Sequence, residues 1–175
     1  LLYIFMLYLI IFIGLRFHTG GDWSSHILQF YKAKTFEVLN FDFRGDYLYE
    51  FLNYIISKLF GGKYLVNLTL AFFLVLSVYI YSSLFSQRFL ILIICFPYIF
   101  VVVGMGYMRQ GMALSFILLS LYFIHKNKFA YFFSSLILAV LSHKSALTIL
   151  IAKLFFLSNN SLKKIIFSIF LISIL

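Results

Sequence analysis

Acidic side chains are nearly missing from this chain: five Asp and Glu stand among 175 residues, against fourteen Lys and Arg. Charged residues of both signs make up only 11%, while 64% are hydrophobic. Soluble domains carry about a quarter charged and about half apolar residues. Too few polar groups are present to cover a water-solvated globule, and the mean hydropathy of +1.06 points to lipid as the solvent. The single cysteine, Cys95, excludes an internal disulfide and reads as a small buried hydrophobe. Internal repeats, low-complexity linkers, a Walker loop, a dinucleotide fingerprint and zinc-ligand spacing are all absent, so neither a cofactor nor a metal is expected. His18, His26 and His125 have no Cys or acidic neighbours at ligand spacing.

The net charge of +9 raises the question of nucleic acid. The Lys and Arg residues are scattered through short breaks and form no basic stripe, which excludes nucleic acid as the expected partner. In short loops they hold membrane topology instead. What the chain has in abundance is apolar runs, at 1–15, 64–85, 89–103, 111–124, 129–141, 146–157 and 165–175. A span needs about 20 residues, so the expected fold is all-α: one polytopic transmembrane helix bundle over 1–175. The run at 1–15 has no basic segment before it and no small-residue cleavage site after it, so it reads as a span and not as a secretory signal. The chain begins and ends inside apolar runs, as a fragment of a longer protein would. Aromatic residues, at 22%, suit interfacial belts and lipid-facing surfaces.

One polar stretch interrupts the pattern, an outer loop over 18–46 that contains Asp22, Glu37, Asp42 and Asp46, four of the five acids. Long loops of this kind tend to be functional. Asp22 is placed to cap a short helix from Trp23 toward Lys34, with Trp23, Ile27, Phe30 and Tyr31 on one face. The segment 47–60 is apolar but includes Glu50, Asn53 and Lys58, and at about 20 Å it is short for a bilayer core of about 30 Å. It reads as interfacial or re-entrant. The halves of 129–157 are each short for a span, and a helix broken at Ser142-His143-Lys144-Ser145 keeps the charge rule. With the Asp22 loop outside, Arg88, Lys126, Lys128, Lys163 and Lys164 fall inside, against Arg109 and Lys144 outside.

Under that parity three polar sites share one side: Arg16 with Gly20-Gly21-Asp22-Trp23, then Arg109-Gln110, then His143-Lys144-Ser145. Arg109 is the sharpest. An arginine at membrane depth costs about 2.5–3.5 kcal/mol and normally faces a cavity or a partner. Its fork suits phosphate or carboxylate, whereas the plainer reading is a topology anchor. His143 suits a general base or a phosphate donor, or simply a helix-end histidine. Lys144 fits an interface anchor, and Ser145 a cap for the next helix more than a nucleophile. Asp22 suits a base, a sugar ligand or a partner for Arg16, with a plain helix cap as the alternative. Gly20 and Gly21 allow a tight turn. Trp23 suits sugar stacking or an interfacial anchor.

Together these motifs resemble the EpsG family of bacterial membrane proteins, related to Wzy-type polysaccharide polymerases. The family pattern of an Arg at a span end, then Gly-x-Asp-aromatic, is matched by Gly14-Leu15-Arg16-Phe17 and Gly20-Gly21-Asp22-Trp23, with His26 where a Tyr usually stands. Asp46-Tyr47-Leu48-Tyr49-Glu50-Phe51-Leu52-Asn53 is similar to its acidic-Pro pair and Leu-Asn helix, without the Pro. Arg109-Gln110-Gly111-Met112-Ala113 matches Arg-Gln-x-x-Ala, and Ser142-His143-Lys144-Ser145-Ala146 matches His-x-Ser-Ala. The likeness runs from Gly14 to about Leu157.

The resemblance implies a polymerase of exopolysaccharide, capsule or O-antigen repeat units in the bacterial cytoplasmic membrane, with its site on the outer face. The substrate it implies is oligosaccharide linked to polyprenyl pyrophosphate. His143 or Asp22 would deprotonate the acceptor hydroxyl, and Arg16, Arg109, Gln110 and Trp23 would bind pyrophosphate and glycan. Partner proteins would be a flippase and a chain-length regulator. The rivals are a lipid-linked oligosaccharide flippase or other transporter, another membrane glycan-modifying transferase such as an O-acyltransferase, and a scaffold subunit.

Overall fold

The computed structural model describes residues 1–35, 46–59 and 62–146, and within them the fold is helical without strands. The expected spans at 146–157, past Ala146, and at 165–175 lie outside the described residues, as do Glu37, Asp42, Arg44, Lys163 and Lys164. The helices are α1 (Leu2–Gly14), α2 (Trp23–Thr35), α3 (Tyr47–Leu59), α4 (Lys63–Ser82), α5 (Arg88–Cys95), α6 (Gly104–Gly106), α7 (Met108–His125) and α8 (Phe129–Ser142). A π-helical segment, Phe96–Val103, joins α5 to α6, so that Arg88–Gly106 is one apolar rod. Pro97 lies at its start and has no N–H to give to the helical ladder, which is where the register loosens.

The apolar runs among the described residues, at 1–15, 64–85, 89–103, 111–124 and 129–141, are helices nearly residue for residue, because each is long, uninterrupted and bounded by polar breaks. The short helix expected after Asp22 forms as α2, so the polar stretch is in part ordered helix and not loop throughout. Its expected face is only partly realised: Trp23 and Phe30 are buried, but Tyr31 is 53% exposed and His26 takes a buried place beside them. The segment 47–60 forms α3, which buries Tyr49, Asn53, Ile56 and Ser57. The first half of the broken pair expected to meet at 142–145 ends where expected, and the second half, past Ala146, lies outside the described residues. Helix α8 stops at Ser142, His143 is extended at φ −162° and ψ 135°, and Lys144–Ala146 forms one 3-10 turn.

Helix α4 stands at the centre. Val66 and Leu70 pack into a cluster with Tyr49, Ile56, Met108, Met112 and Phe116. Ala71, Leu74, Val75 and Val78 pack into a second cluster with Leu9, Ile13, Leu92 and Phe100. Buried serines let α4, α7 and α8 approach closely. Ser77, Ser115, Ser120, Ser135 and Ser142 each donate to a carbonyl of their own helix 2.7–2.8 Å away, so their hydroxyls are satisfied without a partner helix. The outward faces are apolar: Tyr3, Ile4 and Leu7 on α1, Leu90 and Ile94 on α5, and Phe129, Phe133 and Ile137 on α8 are all exposed. Among the described residues, two helical rods, Lys63–Ser82 and Arg88–Gly106, are long and apolar enough to cross a membrane. Helices α1 and α8 are apolar but shorter, with 13 and 14 residues.

Helices α1 and α4 touch backbone to side chain at Gly14. A Cβ there would lie 2.5 Å from Leu68 Cδ2 and 2.9 Å from Leu68 Cα, whereas one at Gly21 would meet nothing within 4 Å. Gly14→Ala is therefore expected to pry α1 from α4 and cost about 1–3 kcal/mol, as overpacking does. Gly21→Ala serves as the neutral control. Thermal unfolding in detergent measures both, and equal midpoints would show that the α1–α4 contact does not limit stability.

Candidate functional site

Several chain segments bring polar groups to one end of the bundle. Helix α1 delivers Arg16 just past its C-terminus. The chain then turns through His18 (φ 52°) and Gly20 (φ 90°), both left-handed. Only glycine fits at Gly20, because a Cβ would sit 2.6 Å from the Met105 carbonyl oxygen and 2.7 Å from Gly106 Cα. That close approach lays the turn on the junction of α6 and α7. Asp22 follows at the helix-capping position of α2, where its carbonyl accepts from the His26 N–H at 3.0 Å. Arg109 leaves the first turn of α7, and His143 follows the last residue of α8.

Asp46 gathers these groups. It precedes α3, its carbonyl accepts from the Glu50 N–H at 3.0 Å, and its side chain is only 6% exposed. Arg109 Nη1 donates to Asp46 Oδ2 at 2.8 Å. His143 Nδ1 lies 2.8 Å from Asp46 Oδ1. The other arm of the arginine, Nη2, stands 3.8 Å from Asp22 Oδ2, beyond hydrogen-bond reach. One guanidinium thus spans two carboxylates, held firmly by one and loosely by the other. Three residues expected from the sequence to share a side, Asp22, Arg109 and His143, meet around Asp46, which the sequence marks as the acid opening the Asp46–Asn53 motif but not as a site residue. The scarcity of acids was the available signal: buried arginines in so apolar a chain need carboxylates, and only five exist.

Arg16 is more deeply buried, at 4% exposure. Its Nη1 reaches the Gly104 carbonyl at a long 3.4 Å, and its guanidinium carbon lies 5.8 Å from the Trp23 ring centre. Its Nε and Nη2 have no acceptor among the described residues. Burial lowers its pKa to about 10, with Tyr49 and Asp22 pulling the other way, so it stays charged at neutral pH. A buried cation with open donors is costly unless an anion completes it.

Trp23 is 6% exposed, its ring crowded by Phe17, His18 and Lys63 Nζ at 5.1 Å. Its little remaining surface belongs to a groove of about 420 Å³ that Trp23 lines together with Phe17, His18, Leu28, Tyr31 and Lys63. Gln110 is exposed and joins none of these contacts. His26 ties α2 to α3: its Nδ1 is 2.9 Å from the Tyr49 hydroxyl. Burial first, then the positive charges of Arg16 and Arg109, push the His26 pKa down to about 4 against the pull of Asp22. Burial pushes the Tyr49 hydroxyl up to about 12. Both are neutral at physiological pH and serve as structure.

The EpsG family model matches residues 1–175. No curated protein and no solved structure gives a match.

The buried His26 makes a pH prediction. An unfolded histidine titrates near 6.5, and the folded one near 4. Between these values the unfolded chain binds a proton that the folded chain does not, so stability falls as pH drops from 6.5 toward 4. In His26→Phe that share of the acid destabilisation is expected to vanish, giving a shallower fall of melting midpoint between about pH 7 and pH 4. Parallel pH curves for the two proteins would refute it.

Proposed function

Because the chain belongs to the EpsG family, which is associated with exopolysaccharide biosynthesis and with membranes, we propose that it polymerises polysaccharide repeat units from a polyprenyl-pyrophosphate donor. The observation that carries this reading is the cluster of Arg109, Asp46, His143 and Asp22, with Arg16 close by, at one end of an apolar bundle. The reaction forms a bond between an acceptor hydroxyl oxygen and the donor's anomeric carbon. It breaks the bond from that carbon to the pyrophosphate oxygen. The hydroxyl proton goes to His143 or Asp22, and the pyrophosphate leaves with its negative charge.

Two features support this chemistry. The leaving group gains charge as the bond breaks, and preorganised cations at that point stabilise the transition state more than the ground state. Two buried donors of Arg16 have no acceptor among the described residues, and Arg109 Nη2 is held only at 3.8 Å. Arg109 Nη1 remains anchored on Asp46, so a phosphate oxygen can replace Asp22 without freeing the arginine. The donor is already activated, so the chemistry requires neither nucleotide nor metal. The bundle, multi-pass in the bacterial cytoplasmic membrane, holds this end at the outer face, where a flippase delivers repeat units and a chain-length protein limits the product. The apolar outward faces of α1, α5 and α8 support the lipid setting.

Reconstitution of the full-length protein in lipid with polyprenyl-pyrophosphate-linked repeat units tests the reading. A ladder of longer glycans with release of polyprenyl pyrophosphate is expected. Arg109→Ala should lower its rate by about 10²–10³, the loss typical of removing one charge-stabilising donor. Absence of a ladder sinks the polymerase reading, and movement of the lipid-linked substrate across the bilayer without a ladder favours a transporter. An unchanged rate in Arg109→Ala sinks the role of Arg109.

A further inference from the structure

We propose that Asp46 is the positioning residue that sets the tautomer of His143 and so makes its Nε2 the base. The inference rests on the polymerase reading for its kinetic consequence, but its geometric claim stands apart from that reading. Asp46 is buried, with a side-chain exposure of 6%, and its two carboxylate oxygens face different partners. Oδ2 accepts from Arg109 Nη1 at 2.8 Å, and Oδ1 faces His143 Nδ1 at 2.8 Å.

The chemistry of these groups decides where the ring proton lies. A carboxylate has only acceptor sites and a guanidinium only donors. The charge of Asp46 is already met by Arg109, so the remaining oxygen asks of His143 only a hydrogen bond. A neutral imidazole has one N–H, and the carboxylate draws it to Nδ1. Nε2 then carries a lone pair, and the side chain is a quarter exposed, open to a substrate hydroxyl. The extended backbone at His143, φ −162° and ψ 135°, takes the residue out of the α8 helix at this point. Asp46 touches no substrate in this scheme and acts through the ring.

The same geometry makes Asp46→Asn an informative change. Arg109 can only donate, so the new amide must turn its oxygen to Arg109 and its NH₂ to His143. The NH₂ donates to Nδ1 and drives the ring proton onto Nε2. The shape of the cluster and both its hydrogen bonds survive, but the base is occupied. In a serine protease triad the equivalent amide-for-carboxylate change lowers kcat by about 10⁴ through the same tautomer reversal.

Two measurements on the full-length protein in lipid test the proposal. Nitrogen-15 spectra of histidine-labelled protein, at a pH where the ring is neutral, are expected to show His143 protonated at Nδ1, the signal being assigned by its loss in His143→Gln. This needs no activity and no variant of Asp46. Asp46→Asn should move that proton to Nε2 and lower kcat by about 10²–10⁴, with KM changed by less than about threefold. A parent protein protonated at Nε2, or an active parent whose Asp46→Asn variant keeps its kcat, overturns the proposal. A parent without polymerase activity overturns the functional reading alone, since the spectra still decide the tautomer. If Asp46→Asn fails to fold, the parent spectrum remains decisive.

Discussion

A buried carboxylate cannot stay charged alone. Removing such an ion from water costs several kcal/mol after relaxation, and close partners with satisfied hydrogen bonds must offset it. Asp46 meets this condition with two contacts of 2.8 Å, one to the start of α7 and one to the end of α8. Through Arg109 the influence extends to Asp22 at the head of α2. The chain entering α3, the first turn of α7 and the break after α8 are thereby set in one place. The arrangement of this end of the molecule depends on that pairing.

The apolar scaffold makes the pairing possible. Helix α4 divides two hydrophobic clusters; α1 and α7 are drawn onto it by apolar contact and by small residues at the crossings, and α8 packs on α7. Gly14 lets α1 lie against Leu68, and self-satisfied serines let α4, α7 and α8 pack without orphaned hydroxyls. The segments meeting at the polar end bring their charged residues there because those residues flank the apolar runs. Arg16 follows one run, Arg109 precedes another, and His143 ends a third.

The two arginines differ in a way that suits an anionic substrate. Arg109 is pre-bound by carboxylates, which holds its fork in place and leaves one arm weakly engaged. Arg16 is deeper and has donors without an acceptor among the described residues, with the Trp23 ring and the Gly104 carbonyl beside it. His26 and Tyr49, both neutral, form a buried polar seam between α2 and α3 that keeps these helices in register behind the charges.

The sequence alone determined the helices and the places where they break, because hydrophobic runs and their polar interruptions are local signals. The helix after Asp22, the positive-φ turn at Gly20 and the interruption at Ser142–Ser145 were all legible in this way. The gathering of Arg109, Asp22 and His143 at one end was legible too, from the parity of the crossings. What only the tertiary structure decided was who pairs with whom. Asp46 is 63 residues from Arg109 and 97 from His143, and although its motif sets it apart from Glu37 and Asp42, nothing local names those two partners. The burial of Trp23 and the conversion of His26 into a buried structural residue were likewise decided by packing between α2, α3 and α4. Side-chain periodicity tells which face of a helix is apolar. Which charges end up within 3 Å of each other is settled only when the helices pack, because that distance depends on every crossing at once.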